Sequence, residues 1–516
     1  MGAAALAARI HSPTALSLAN TIQGTAAGRA IAGGARSPPA AMPAVDARGV
    51  AWAGALLLAV AVLKAAAILL DPQIRLFLGD SASYLFAARS DEWLPGDRSF
   101  TYPLLLESLV RPTGSLQALL YWQALAGLGI ALLLARVLRV HFQLPPLPVL
   151  LATCAIALEP AQLFYERMVL AETFGLLAFV AFYAAACAYL VHARVAWLAV
   201  VAVLGIGAVS LRMNYLPVVT VITLALPLVM LLDPARRPRA WRLLAHCMVA
   251  ALCFWGTHGQ YKQYVGEMFD TKPAYIARAG FMRMGLVAPL IKPEHFLRVG
   301  LPADFADRLA YDLADPHTRP SQLWNHGGLA DAIAEAGLDV NRTCRKLSIY
   351  ALRDDPFGVV RLALVTLAGY FNPDSSARRL AKDLGRDPLP YPARVVSSVK
   401  NYWHYDMSGV AERWTPVSRA FAAASSWLVA CLFLLLPLSL ANVLVHWRDP
   451  RRLQAVLAAL FGIGLVASEV LFSNIASYRY LHAFPFFVLV NALPLAATLW
   501  HRRTQRRHAA QGLVPR

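Results

Sequence analysis

The chain has 516 residues, of which 58% are hydrophobic and 15% charged, with a mean hydropathy of +0.50. A soluble domain carries roughly 45–50% apolar and 25% charged residues, so the composition excludes an ordinary soluble protein and points to the membrane class. The formal net charge of +18 does not indicate a nucleic-acid partner, because the arginines fall between apolar runs and no basic helix or base-stacking platform accompanies them.

Residues 1–48 are rich in Ala, Gly, Ser and Pro and are expected to be disordered; they lack the apolar core and cleavage site of a signal peptide. Ten apolar runs follow, at about 50–70, 115–135, 146–164, 169–191, 195–211, 215–232, 241–258, 418–445, 454–472 and 481–500. Each approaches the roughly 20 residues that cross a hydrocarbon core, which predicts an all-α polytopic membrane protein with about ten transmembrane helices. Strand-like alternation is missing, so a porin-type barrel is excluded, and no internal repeat is visible.

Arginines follow alternate runs: Arg136 and Arg139, then Arg194, then Arg236, Arg237, Arg239 and Arg242, then Arg448, Arg451 and Arg452, then Arg502, Arg503, Arg506 and Arg507. By the positive-inside rule this puts both termini of a multi-pass protein in the cytoplasm; the expected location is a bacterial inner (plasma) membrane. The expected organisation is a transmembrane module at 49–259 with a first external loop at 71–114, a mainly helical periplasmic domain at 260–416, C-terminal spans at 417–501 and a basic tail at 502–516. Residues 512–516 read like the remnant of a cleaved tag, or a chance match, and are set aside. The apolar stretch 357–371 is broken by Arg361. As a span it would invert everything after it, so it is expected to be an amphipathic helix at the outer interface or a packed helix of the external domain.

Five cysteines (Cys154, Cys187, Cys247, Cys253 and Cys431) lie inside apolar runs and Cys344 stands alone in a polar stretch. Neither a disulfide framework nor a metal-ligand spacing results. Chemistry is concentrated at the outer helix ends. The first loop opens Leu78-Gly-Asp-Ser-Ala-Ser-Tyr84, and on a helix Asp80 and Tyr84 share a face at i and i+4. Asp97-Arg-Ser-Phe-Thr-Tyr-Pro103 follows, and Glu166 and Glu172 bracket the next outer joint. A carboxylate there can act as a general base or help hold a divalent cation; it can equally cap a helix or face water. Arg167, Arg212 and Arg479 sit at outer ends, where orientation disfavours Arg, at the depth of a lipid phosphate. Guanidinium grips phosphate with two parallel donors, or snorkels to ordinary headgroups. Lys64 and Glu469 are the charges nearest mid-membrane.

Taken in order, Gly79-Asp80 with Tyr84, Arg98 with Tyr102-Pro103, Glu166 with Glu172-Thr173, Leu211-Arg212, Asp354-Asp-Pro356, and Ser477-Tyr-Arg-Tyr480 with Pro485 resemble the outer-face motifs of GT-C glycosyltransferases. The branch they resemble is that of the lipid-A aminoarabinose transferases and protein O-mannosyltransferases. The resemblance implies a GT-C-like fold and transfer of a sugar from a polyprenyl-phosphate donor to a glycan, lipid or protein hydroxyl, with inversion. It implies Asp80 as general base, with Glu172 and Glu166 as further acids, and Arg479, Arg212, Arg167 and Tyr84 at the donor phosphate. Arg98, Tyr102 and Tyr480 would position donor or acceptor. The resemblance names no definite cofactor, and the acids leave room for a divalent cation. Two other readings stand beside it. One is a ligase or polymerase of lipid-linked glycans, for which His258, His295, His317, His326 and His404 are the candidates. The other is a non-enzymatic lipid or glycan transporter.

Overall fold

The computed structural model describes residues 47–77, 79–89, 95, 97–234, 237–270, 272–387 and 389–510. The expectations for residues 1–46, Arg236 and 512–516 lie outside these. The chain separates into two units, Met1–Leu57 and Leu58–Arg516. In the first, the described residues form the opening turns of the helix Ala47–Leu70. Every contact described below lies within the second.

Helices dominate, and the described residues contain no strand, only an isolated parallel bridge between Arg75 and Met168. This follows from runs of Leu, Ala, Val and Phe almost free of charge, whose backbone can satisfy its own polar groups in hydrocarbon only as helix. Eight of the described helices are long and apolar enough to cross a membrane: Ala51–Leu70, Ala118–His141, Glu172–His192, Met213–Leu232, Ala240–Met268, Pro416–His446, Arg452–Leu471 and Tyr478–His508. The chain is thus a helical membrane protein. Two of the ten apolar runs give shorter helices, Pro146–Ala157 and Ala196–Leu211. The first stops because Pro160 carries no N–H for the preceding turn, and the Glu159 carboxylate accepts from Gln162 N at 2.7 Å to start a new helix, Pro160–Tyr165.

Aromatic rings hold the long helices together. Phe461 meets Tyr183 at 4.8 Å and Phe487 at 5.6 Å, and Phe179 stacks on Tyr215 at 4.2 Å. Between Ala279 and Asp354 a separate apolar core forms from Phe281, Met284, Leu290, Phe296, Leu323 and Leu347. The stretch 357–371 yields the helix Gly358–Gly369, of 12 residues, too short to span. Asp355 opens it by accepting from Gly358 N at 2.7 Å. Its Leu362 joins the apolar core, while Thr366 Oγ1 donates to Ser473 O at 3.2 Å.

Candidate functional site

A tight turn presents Asp80. Asp80 N and Ser81 N both donate to Phe77 O, at 3.0 and 2.8 Å, and Ser81 Oγ donates to Val169 O at 2.8 Å. The turn opens the helix Ser81–Arg89, and Tyr84 N donates to Asp80 O at 3.1 Å, so the i, i+4 pair shares a face as the spacing predicts. Among the described residues no backbone N–H donates to the Asp80 side chain. It is 6% exposed, and its two oxygens are taken by guanidiniums from distant parts of the chain. Arg98 Nη2 donates to Oδ1, and Arg479 Nη1 donates to Oδ2 at 2.6 Å. Burial alone would raise the Asp80 carboxyl, but Arg479 and Arg98 outweigh it and hold the group well below the usual carboxylate range. Arg98 is shared with Asp97, whose Oδ2 accepts from Nη1 at 3.0 Å.

Around this clamp lie most of the other residues named from the sequence. Arg479 Nη2 donates to the Tyr480 hydroxyl at 3.2 Å, and its Cζ lies 4.5 Å from the Phe77 ring centroid. Arg212 Nη1 reaches Arg479 O at 3.3 Å, with its Cζ 5.9 Å from the Tyr480 ring. The Arg212 stem runs across Gly175, where an added Cβ would meet Cγ at 3.0 Å. Gly175 is one turn beyond Glu172, which is buried and within electrostatic reach of Arg212, Arg479 and Tyr84. Among the described residues Glu172 takes part in no ion pair. Tyr84 and Tyr102 meet edge to face at 4.8 Å. Tyr102 Oη, Arg479 Nε and Glu469 Oε2 are buried and have no hydrogen-bond partner among the described residues. Unsatisfied buried groups are costly, and each of these could take a polar ligand atom or ordered water.

Two expected site residues are placed elsewhere. Glu166 is paired with Lys64 at 2.5 Å and accepts from Gln162 Nε2 at 2.8 Å. It presses on Gly127, where any Cβ would fall 1.8 Å from Oε1. A buried lysine claims its charge. Arg167 donates to Ala67 O at 2.6 Å, Asp71 O at 2.8 Å and Leu163 O at 2.6 Å. Its donors are thus spent on backbone carbonyls at the end of the first long helix and in the helix Pro160–Tyr165, and not aimed at a phosphate. The histidines are also spoken for or remote. His258 bonds the Tyr275 hydroxyl at 2.9 Å and His295 the Asp354 carboxylate at 2.8 Å, while His317 and His404 are exposed. His326 lies with Asp331 and Glu335, the one group among the described residues whose donor atoms, all within 4.8 Å of one another, could hold a metal ion. Asp80, Glu166 and Glu172 do not belong to it.

Sequence reading missed three contributors. Asp383 is buried and accepts from Ser477 Oγ and Tyr478 N, both at 2.7 Å, fixing the backbone that presents Arg479. Burial pushes its carboxyl up to about 6 against the opposing pull of Ser477 and Arg479. In the sequence it closes a strongly basic helix, where an acid reads as solvated surface. Glu469 was noted only as a charge within a span; its carboxylate accepts from Asn214 Nδ2. Trp324 lies with its ring centroid 5.5 Å from Arg98 Cζ and lines a cavity of about 420 Å³ with Arg278, Phe281, Asn325, His326 and Asp331. No local motif marks it. No known family model matches the chain, and no curated protein or solved structure matches it either.

Proposed function

We propose that the protein is a membrane glycosyltransferase of GT-C type, with cytoplasmic termini, that transfers a sugar from a polyprenyl-phosphate donor to a hydroxyl acceptor on the outer face of the membrane. The observation that carries this reading is the Asp80 carboxylate held between Arg98 and Arg479, with Arg212, Glu172 and the orphaned Tyr102 hydroxyl close by. The order of the outer-face motifs adds to it.

A carboxylate clamped by two arginines is a poor base, because its proton affinity is too low. A donor phosphate changes that. It offers the guanidiniums a second anion with matching fork geometry. As the phosphate engages Arg479, with Arg212 behind it, Asp80 loses counter-charge and its proton affinity climbs back toward the ordinary carboxylate range. The acceptor hydroxyl then attacks the anomeric carbon from the side opposite the phosphate. The new carbon–oxygen bond forms as the bond to the phosphate oxygen breaks, the phosphate departs with the electron pair, and the hydroxyl proton passes to Asp80. Arg479 stabilises the leaving charge. Tyr480 fixes Arg479, and Tyr84 and Tyr102 wall the site. The acceptor approaches past Trp324, from a cavity whose volume falls within the roughly 300–1,000 Å³ of small-molecule sites. An aromatic face with polar neighbours there suits a carbohydrate acceptor.

The test uses purified protein in nanodiscs and synthetic undecaprenyl-phosphate sugars, with donor consumption followed by chromatography. Asp80→Asn is expected to slow turnover about 10²–10⁴-fold while donor binding persists. Wild-type turnover in that variant would remove Asp80 from the chemistry and favour a histidine-dependent ligase.

A further inference from the structure

The Gly358–Gly369 helix has one face that the protein leaves uncovered. Phe357 is 81% exposed, Leu364 and Phe371 58% each, and Val360 49%. These positions recur at helical spacing, so they form a single apolar stripe. Only Arg361 interrupts it, and that side chain turns back to Asp355, Nη2 to Oδ2 at 3.1 Å. Soluble surfaces seldom carry so many large apolar side chains in a row.

What covers the stripe follows from where it ends. Phe371 meets Phe433 at 4.7 Å between ring centroids. Phe433 belongs to the long apolar helix Pro416–His446, on which it is exposed together with Leu434, Leu436 and Leu440. An apolar helix of 31 residues shows such a face only to acyl chains. The stripe is thus continuous with a lipid-facing surface. The opposite face is buried and specific. The single Thr366 hydroxyl proton is shared between Leu362 O and Ser473 O, each at 3.2 Å, and the Tyr370 hydroxyl, one residue past the helix, donates to Ser477 O at 3.1 Å. Arg319 Nη2 adds a bond to Thr366 Oγ1 at 2.8 Å. Segment 473–477 runs directly into Arg479.

We propose that this helix lies in the plane of the membrane surface, with its exposed stripe seated among lipid acyl chains, and that its inner face braces the segment leading to Arg479. Lipid contact then holds the Arg479 side chain at Asp80. Phe357, Val360, Leu364 and Phe371 supply the lipid affinity, and Thr366 and Tyr370 transmit the position. The inference is independent of the glycosyltransferase reading, since it concerns how the helix is held, whatever reaction the site performs.

The test is a pair of measurements on the full chain in phosphatidylcholine/phosphatidylglycerol nanodiscs. Spin labels are attached at Val360→Cys and Leu364→Cys, with Ala303→Cys as a solvent-exposed control, after Ser replaces the half-exposed Cys154, Cys247 and Cys253. Labels at 360 and 364 should be relaxed more by molecular oxygen than by a water-soluble nickel chelate, and the label at 303 the reverse. Nickel access at 364 equal to that at 303 would overturn the proposal. So would shielding from both reagents together with a doubled particle mass, which would make a second copy the occupant. The second measurement is hydrogen exchange over 473–480 in Leu364→Asp, a variant at an uncovered position that leaves the core untouched. Exchange there should accelerate about tenfold, the scale of losing one buried apolar side chain. Unchanged exchange would overturn the bracing role.

Discussion

Burial raises the Asp383 carboxyl to about 6, and that displacement has a sign that can be measured. The folded protein holds this proton more tightly than the unfolded chain does. The stability so gained is complete below the ordinary aspartate range and is lost as pH rises through about 6. Wild type should therefore lose on the order of 2–3 kcal/mol of its advantage over Asp383→Asn between about pH 4 and pH 6. Thermal unfolding of both in detergent across that interval checks it; a constant gap would mean that Asp383 titrates as an exposed group. Lys64 and Glu166 allow a second test, because each is nearly fully buried. Replacing Lys64 alone with Met strands a buried carboxylate and should cost about 3–5 kcal/mol. The double variant Lys64→Met/Glu166→Gln should recover much of that loss, as read from the same melting curves. Equal losses in the single and double variants would show that the pair is not coupled. At this scale the sequence is legible where chemistry is local. The Asp80/Tyr84 register follows from helical spacing. The partners of Asp80 do not, because Arg98 and Arg479 reach it through packing between loops far apart in the chain.

Among the elements, the apolar runs translate directly into helices, because hydrocarbon leaves the backbone no other means of satisfying itself. Where the translation slips, a single residue is responsible. Pro160 splits the third run, and Ala196–Leu211 stops at 16 residues because Arg212 leaves helical geometry to cross Gly175. That crossing predicts a sharp cost for side-chain bulk. Gly175→Val would force the Arg212 stem off its path, since even a Cβ there meets Cγ and Cδ at 3.0 and 3.1 Å. Turnover should fall about tenfold or more, while Gly207→Val, on the neighbouring helix with nothing within 4 Å, should leave it intact. Comparable losses in both variants would point to general destabilisation. The stretch 357–371 illustrates the limit of hydropathy. Its composition suits membrane contact and packing alike, and the helix it forms has a face for each.

For the whole molecule, orientation is the property most open to direct test. Alternating arginines predict that a cysteine label near Gly328 reacts only from outside the cell and one near Pro238 only from inside; reaction of both from one side would defeat the arrangement. The Asp80–Arg479 ion pair has a further consequence, for the order in which the protein is made. Asp80 leaves the ribosome 399 residues ahead of Arg479, so through that interval the carboxylate has only Arg98 to answer it. The cluster cannot close until the segment Tyr478–Leu481, which carries Arg479, is made. A nascent or truncated chain ending before the Ser477–Tyr480 motif would hold the Asp80 carboxylate against Arg98 alone. Closure of the clamp is thus a late folding event, set by the segment that carries Arg479.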